Sequence, residues 1–556
     1  MKDSGLHRQN GKENGKLRAT SLETSGTSFF QIGFQFPKVT TNTHRQGIRR
    51  DNGTYTASIA AGQEVKGASY FGQGLGLLRG GAQMQELRCI KFALTADVLV
   101  LISKGILTVA SAGNDGPYRA SVTNNAPWLL TGGASTIDRK FVSKLVLGNG
   151  KIFEGNAIHS FDLNGTMFPL IWGGDAANFS GNAHPESASH CSASTLDSQK
   201  VKGKFALCEG FSIDGVAEAD GAGAIMTAIN LDDTAPFSFP VTLLSKEEIA
   251  QVLAYIKSSQ NPEATILVSE AMKDFNAPEV APFSGKGPSL LLSPDILMQP
   301  DLTAPGVNIL VAWSPVGLQS SSQRSTPYSI RSGTSEATAH IAGAAAFVKA
   351  NHPSWSAAVI KSALMTTANA MEPTKHQLEN EFAYGSGLLN PTKAVDPGLV
   401  YDASDKDYVE FLCKQGFNTT LLRLVTGNKS VRKSTKPGRG WDLNYPSFML
   451  AAQDGHKISG NFVRIVTNVG SPNSTYHVSI DKPDFVDVKV DPSVLIFATL
   501  GEEKSFVVSV NGPNISQVPI ISCSVTWEDG VHLVRAPLVI YKSQASIIAH
   551  NLPISP

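Results

Sequence analysis

Residues 328–370 read YSIRSGTSEATAHIAGAAAFVKANHPSWSAAVIKSALMTTANA and carry the clearest local pattern in the chain. The segment opens with a turn of small residues, Ser332-Gly333-Thr334-Ser335. After the turn, apolar residues recur at spacings of three and four, and no proline intervenes before Pro353. This period predicts a helix that begins at the turn. The residues that define it are Ala337, Ile341, Ala344, Ala345 and Val348.

Ser335 lies where the predicted helix begins, and two interpretations of it are open. A serine on a tight turn at a helix N-terminus is well placed for nucleophilic chemistry, because the positive end of the helix dipole favours negative charge there. The alternative is that Ser335 only caps the helix, since serine is a favoured N-cap. The segment by itself favours the cap, so the rest of the chain has to decide.

The composition is that of an ordinary globular protein. The chain has 556 residues, too many for one core, and roughly two to four domains are expected. Hydrophobic residues make up 42% and charged residues 17%, with a formal net charge of zero. This balance gives no indication of nucleic acid or of an acidic partner. No run of about 18 apolar residues occurs, so no membrane-spanning helix is expected.

Other features favour an extracellular protein, although the N-terminus, MKDSGLHRQNGKENGK, is polar and has no secretory apolar core. The five cysteines leave at least one unpaired within the chain. Cys191 and Cys208 flank a predicted hairpin and are the best candidates for a disulfide. Seven Asn-x-Ser/Thr triplets give weak support, because such triplets also arise by chance; they begin at Asn52, Asn164, Asn178, Asn418, Asn428, Asn473 and Asn514.

The coarse pattern divides the chain into α/β segments and a β segment. Residues 96–102, 105–112, 126–135 and 309–313 are apolar and predict strands, and helices are predicted at 54–61 and 356–367. Strand 105–112 ends at Gly113-Asn114, the kind of edge where α/β sheets place ligand contacts. Residues 165–270 predict a separate α/β or α+β insert with an amphipathic helix at 246–258. After about residue 440, alternation with period two predicts an all-β sandwich.

Four motifs occur in an order that resembles one enzyme family. They are Asp3-Ser4-Gly5, DNGTYTAS at 51–58, SAGNDGP at 111–117 and SGTSEATAH at 332–340. This order resembles the subtilisin-like serine proteases, and most closely the plant subfamily that includes cucumisin, with D[ST]G, GHGTHTAS, SAGNxGP and SGTSMxxPH. Further matches are APFSGKGP at 281–288, QPDLTAPGV at 299–307 and LNYPS at 443–447.

The resemblance implies an α/β fold, namely a subtilisin-like parallel sheet flanked by helices. It also implies an inserted protease-associated domain and a C-terminal fibronectin-III-like β-sandwich. The expected divisions are 1–160 and 276–400 for the two segments of the catalytic domain, 161–275 for the insert, 401–440 for a connector, 441–545 for the sandwich and 546–556 for a tail. Protein or peptide substrates and an extracellular location are implied, and neither a cofactor nor a metal.

By resemblance, Ser335 is the nucleophile, Asn114 the oxyanion donor and Asp3 the orienting acid. A serine hydroxyl is a weak nucleophile until a neighbouring imidazole takes its proton. A buried carboxylate orients that imidazole, and an asparagine amide donates a hydrogen bond to the developing oxyanion. Asp3 is carried by a three-residue match in a polar segment, so its assignment is the weakest of the three.

The main departure from the family concerns the catalytic histidine. Aligned residue by residue, Asn52 stands at the position of the catalytic histidine, and Tyr55 replaces the second histidine of the same motif. An amide cannot accept and return a proton near neutral pH. Asn52 also begins a glycosylation triplet, and a glycan there would obstruct the cleft. His340 matches a helix histidine of the family that is not a base, so it does not replace the missing group.

Glu336 stands beside the predicted nucleophile, where the family has methionine. One interpretation is that its charge opposes formation of the oxyanion. The other is a solvated carboxylate, or one paired with the helix dipole, and both interpretations are open.

By comparison with the family, we expect the N-terminal region to lack roughly one β-α unit. Between Cys89 and Gly105 there is too little chain for the strand, helix and substrate-binding edge found there, because a parallel crossover needs about a dozen residues. Residues 31–37, QIGFQFP, resemble the end of the missing strand but precede the histidine motif. The family's signal and inhibitory segments have no counterpart. These departures predict either a serine endopeptidase of impaired activity or an inactive homologue that binds peptides or proteins, and an incomplete gene model or a decayed duplicate would account for them.

Overall fold

The computed structural model describes the larger part of the chain. For residues 29–32, 52–53 and 87–88 it describes the backbone only. Asp3 and the predicted strand 96–102 lie outside the described residues. Within them, no helix is both long and apolar enough to cross a lipid bilayer. The described residues are 29–32, 52–82, 87–88, 105–228, 234–289, 299–313, 327–372, 375, 380–426, 439, 442–452, 455–514 and 520–542.

The first region comprises the two segments expected to form the catalytic domain. At its centre lies a five-stranded sheet, called the core sheet below. Three of its strands are parallel, as expected, and two further strands, each joined to its neighbour by antiparallel pairing, extend one edge. The strand at 29–32 includes the start of the QIGFQFP segment, and it pairs with the strand at 107–111 in the antiparallel sense. The expected parallel sheet is therefore present and is extended by antiparallel pairing at this edge. The strands, in sheet order, are Leu302–Pro305, Leu129–Ser135, Leu107–Ser111, Phe29–Ile32 and Leu87–Arg88.

The helix that begins at the small-residue turn, Thr334–Asn351, packs against the core sheet and is called the serine helix below. It also packs against the helix Asn52–Ala61. A methyl group built on Gly343 would lie 2.9 Å from the carbonyl oxygen of Ala60, so glycine at this position lets the two helices approach closely. The other helices of this region are Ala357–Thr366, Glu381–Tyr384 and Pro391–Ala394, and two hairpins pair Val65–Tyr70 with Gln73–Leu78 and Ile309–Ala312 with Tyr328–Arg331.

The insert is built on an eight-stranded mixed sheet. Its helix Lys246–Ser258 has the bounds that the sequence predicts, and it buries Ile249, Val252 and Ile256. The sheet takes strands from both sides of residue 160, where the sequence places a domain boundary. In sheet order the strands are Val241–Leu244, Gly223–Thr227, Phe205–Cys208, Phe168–Trp172, Glu263–Ile266, Arg139–Leu147 and Glu270–Lys273, with Ile152–Gly155 beside Arg139–Leu147. Short helices are Gly173–Ala176, Phe179–Gly181, Pro185–Ala188, Ser198–Val201 and Asp214–Glu218.

A disulfide joins Cys191 and Cys208 in the insert, as the sequence predicts. The hairpin that suggested the pairing is absent, because the helix Ser198–Val201 lies between the two cysteines. Cys413 and Cys523 are buried free thiols.

The C-terminal region is the expected β-sandwich. Its two sheets enclose a core that contains Trp527, Phe506 and Tyr476. One sheet contains Leu399–Val400, Lys457–Asn468, Glu503–Asn514 and Asp487–Asp491. The other contains Phe448–Ala452, Leu533–Lys542, Ile520–Glu528, Ser474–Asp481 and Val494–Phe497.

The helices at 405–426, which lie in the chain between the first region and the β-sandwich, pack into the hydrophobic core of the first region. The helix Asp405–Lys414 buries Tyr408, whose ring lies edge-on to Trp128 with 5.9 Å between centroids, and the helix Thr419–Thr426 adds Leu422. Tyr445, of the LNYPS motif, reaches the same core. Its hydroxyl bonds both Lys361 and Asp301, which form a buried ion pair of 3.0 Å. Residues 401–426 of the segment expected to be a connector are therefore part of the packed structure.

Candidate active site

The serine helix begins at a turn that is held by hydrogen bonds on both sides. The strand Tyr328–Arg331 leads into the turn. The N–H of Asn308 donates to the Ser332 hydroxyl at 2.9 Å, and the N–H of Gly333 donates to the carbonyl of Gly306 at 2.8 Å. These bonds fix the point where the helix starts.

Ser335 is the second residue of that helix and is half-buried. The N-cap residue is Gly333, which has no side chain of its own to cap the helix. The interpretation of Ser335 as the N-cap is therefore wrong. The side chain stands on the first turn, at the positive end of the helix dipole.

Asn114 lies directly against this turn. Its side-chain oxygen accepts hydrogen bonds from the N–H of Thr334 at 2.9 Å and from the Thr334 hydroxyl at 2.8 Å. A backbone N–H can only donate, so the atom that faces it has to be the carbonyl oxygen of the amide. The NH₂ group of Asn114 therefore points away from Thr334. The role of Thr334 in orienting this amide was not predicted from the sequence, although Thr334 belongs to the Ser332-Gly333-Thr334-Ser335 turn.

Gly333 keeps the space beside this NH₂ group open. A methyl group built on Gly333 would lie 3.5 Å from Nδ2 of Asn114 and 2.7 Å from Oε2 of Glu336. The φ angle of Gly333 is 163°, an extended value open to any residue, so the absence of a side chain matters here for space and not for conformation.

Glu336 lies inside the protein and not in solvent. Only 2% of the surface of Glu336 is exposed to solvent. Burial raises the pKa of this carboxyl to about 7, and a hydrogen bond from its own backbone N–H and the charge of Arg331 partly offset the rise. The interpretation of Glu336 as a solvated carboxylate is therefore wrong.

Arg331 lies close to the ring faces of two aromatic side chains. Its guanidinium carbon is 5.7 Å from the ring centroid of Tyr55 and 5.3 Å from that of Trp313. The two rings are parallel, with centroids 6.3 Å apart. Tyr55, which stands in place of a family histidine, thus belongs to a cation–π cluster.

The remaining predicted site residues are only partly placed. Asn52 is the first residue of the helix Asn52–Ala61, which packs on the serine helix, but its side chain lies outside the described residues. His340 is on the serine helix, and its Nδ1 donates to the backbone carbonyl of Glu336 at 3.0 Å. Burial lowers the pKa of His340. The structure thus brings Ser335 and Asn114 to one turn and places the backbone of Asn52 on the adjacent helix.

Comparison with known proteins gives two domain matches and several relatives that are similar over most of this chain. Residues 81–387 match the subtilase family, and residues 442–540 match a fibronectin type-III domain. The subtilisin-like protease SBT4.3 of Arabidopsis thaliana is 40% identical over 547 residues, which cover 89% of this chain and 73% of the relative. SBT4.6 of the same plant is 41% identical and SBT4.4 is 37% identical, each over 88% of this chain and 73% and 72% of the relative, respectively.

Proposed function

Because this chain belongs to the subtilase family, we propose that its site is that of a serine endopeptidase in which Ser335 attacks a substrate peptide carbonyl. The observation that carries the proposal is the position of the Asn114 carboxamide against the turn from which Ser335 projects. Thr334 binds the side-chain oxygen of Asn114, so the NH₂ group of Asn114 points away from Thr334. An oxyanion donor needs an NH₂ group that can donate to the substrate oxygen. Protein or peptide substrates follow from the family.

The reaction would proceed through an acyl-enzyme. A bond forms between Oγ of Ser335 and the carbonyl carbon, and negative charge moves to the carbonyl oxygen, where the Asn114 NH₂ group donates a hydrogen bond. The hydroxyl proton passes to a base and then to the amine that leaves as the peptide bond breaks. Water then hydrolyses the ester on Ser335.

We further propose that this chain is impaired in that reaction, because Asn52 stands where the family has its base. Loss of the base in a subtilisin costs about 10⁶ in kcat. The role of Asp3 as orienting acid stays a prediction, and Asn52 stands at the position of the family imidazole that such an acid would orient. The alternative function, which Asn52 also favours, is binding of peptides or proteins without cleavage.

A fluorophosphonate probe tests the assignment of Ser335, because it forms an Oγ–P bond as fluoride leaves. We expect slow labelling of the wild type and none of Ser335→Ala. Ser356→Ala is the matched control: Ser356 caps the next helix by accepting from the N–H of Val359 at 3.0 Å, and it should not affect labelling. Absence of labelling in folded wild-type protein, checked by thermal unfolding, would contradict the assignment.

Restoration of the histidine tests the impairment. Asn52→His should raise the labelling rate and produce peptide hydrolysis, while Asn52→Gln, which keeps an amide, should do neither. If Asn52→His stays inactive although it folds, the defect lies in the shortened segment before Gly105 and not in residue 52.

For the remaining expectations, we propose an extracellular location, the protease-associated identity of the insert and the expected domain divisions, with the strands Arg139–Leu147 and Ile152–Gly155 assigned to the insert and residues 401–426 to the first region. Four of the triplet asparagines are exposed and thus accessible to glycosylation: Asn164, Asn418, Asn473 and Asn514. Secretion from plant cells, followed by a mobility shift on glycosidase treatment, is the expected result. Retention of unglycosylated protein inside the cell would contradict this location.

A further inference from the structure

We propose that Glu336 is a residue of the oxyanion site, and that this site accepts a developing anion only while the Glu336 carboxyl group is protonated. The proposal rests on the proposed function and adds a residue and a pH dependence to it. The family has methionine at this position, which can neither carry a charge nor donate a hydrogen bond.

The geometry places the Glu336 carboxyl group beside the oxyanion donor. Oε2 of Glu336 and Nδ2 of Asn114 lie 2.7 and 3.5 Å from the same point, the position of a methyl group built on Gly333. Helical side chains point toward the N-terminus of their helix, which directs Glu336 back over Gly333. Both polar groups therefore line the small space that Gly333 leaves open.

The two protonation states of Glu336 have opposite effects on this space. An ionised carboxylate only accepts hydrogen bonds, so it competes for the Asn114 NH₂ group and repels a second negative charge. A protonated carboxyl has an O–H that can donate to the substrate oxygen, in addition to the amide. Because the residue is almost fully buried, the repulsion is weakly screened by solvent.

The charged and titratable groups around Glu336 come from three elements. Arg331, on the strand Tyr328–Arg331, favours the ionised form of Glu336. His340, on the serine helix, bonds the Glu336 backbone, and burial lowers the pKa of its imidazole. The helix Asn52–Ala61 contributes Tyr55, which lies against Arg331. On the side of Asn114, the next residue in the chain is the exposed Asp115.

The balance of these effects puts the change of state near neutral pH. Burial outweighs the attraction of Arg331 and raises the pKa of Glu336 to about 7. The protonated form therefore predominates at mildly acidic pH and the ionised form at alkaline pH. Any chemistry at Ser335 should accordingly be favoured on the acid side of neutrality.

The first test reads the site without any reaction. The side-chain amide of Asn114 is observed by NMR in protein labelled with ¹⁵N-asparagine and assigned with Asn114→Ser. In the wild type its signals should shift with a midpoint near pH 7, and in Glu336→Gln they should not shift in this range. Glu381→Gln, which removes another buried glutamate far along the chain, is the matched control and should keep the wild-type titration. Absence of a transition in the wild type, or its persistence in Glu336→Gln, would overturn the proposal.

The second test measures chemistry at Ser335. The ratio of fluorophosphonate labelling rates, Glu336→Gln over wild type, should be nearly constant below pH 6. Above pH 7 it should rise by about tenfold per pH unit, because the protonated fraction falls by that factor. A ratio that does not change with pH would overturn the proposal. If neither protein is labelled, the role of Ser335 fails, and the NMR titration still decides the placement of Glu336 beside Asn114.

Discussion

Thr334 donates two hydrogen bonds to the side-chain oxygen of Asn114, at 2.9 Å from its backbone N–H and 2.8 Å from its hydroxyl. The relationship joins the end of a strand of the core sheet to the start of the serine helix, 220 residues later in the chain. It fixes both the position of the helix start and the direction of the Asn114 NH₂ group.

The first prediction concerns this amide. Asn114→Ala should lower the rate of fluorophosphonate labelling by about 10²–10³-fold, the loss that removal of the corresponding donor causes in a subtilisin. Thr334→Val keeps the backbone donor and removes only the hydroxyl, so its effect should be much smaller. Equal losses in the two variants would indicate that the amide acts by holding the turn and not as a donor.

The second prediction concerns the pH dependence of stability that Glu336 causes. Its pKa is about 7 in the folded protein against 4.5 when unperturbed, so between these values the folded state holds a proton that the unfolded state has lost. The free energy of unfolding therefore falls as pH rises through this window and then levels off. Relative to the wild type, Glu336→Gln should gain up to about 3 kcal/mol between pH 4.5 and 7.5.

Denaturant unfolding of the two proteins at several pH values measures this gain directly. Taking the difference between them removes the contribution of other titrating groups. A constant difference across the range would show that Glu336 is not held in the protonated form by burial.

The third prediction concerns the buried hydroxyl of Tyr445, which bonds both members of the Asp301–Lys361 pair. Tyr445→Phe removes a hydrogen-bond partner from buried charges and should cost about 1–3 kcal/mol of unfolding free energy. The matched control is Tyr401→Phe, because the Tyr401 hydroxyl is buried and has no hydrogen-bond partner within the described residues. A loss as large in the control would mean that ring packing, and not the network, explains the effect.

The fourth prediction concerns the disulfide of the insert. Its cysteines are 17 residues apart, and a crosslink of this span should stabilise the fold by about 3 kcal/mol. Reductant should therefore lower the unfolding temperature of the wild type. The double variant Cys191→Ala/Cys208→Ala should start at the lower temperature and be insensitive to reductant.

The sequence predicted the elements that depend on neighbours along the chain. The helix 246–258 has its predicted bounds, since the amphipathic period is a local feature. The capping box that the structure shows between Ser245 and Glu248 is local as well. The placement of residues 405–426 was not predictable in the same way. Tyr408 packs on Trp128, and its burial depends on an element that lies far away in the sequence.

For the site, the sequence by itself determined which residue types stand in which order: Ser335 after a small-residue turn, Asn114 at a strand end, and Asn52 where a base is expected. Only the tertiary structure decided the environment of the residues next to them, and Glu336 is the example. A glutamate on the first turn of a helix is ordinarily solvated, and the sequence contains nothing that excludes this for Glu336. The surrounding elements exclude water from it, and its carboxyl group comes to lie over Gly333 beside Asn114, because burial is a property of contacts that form only when distant segments meet.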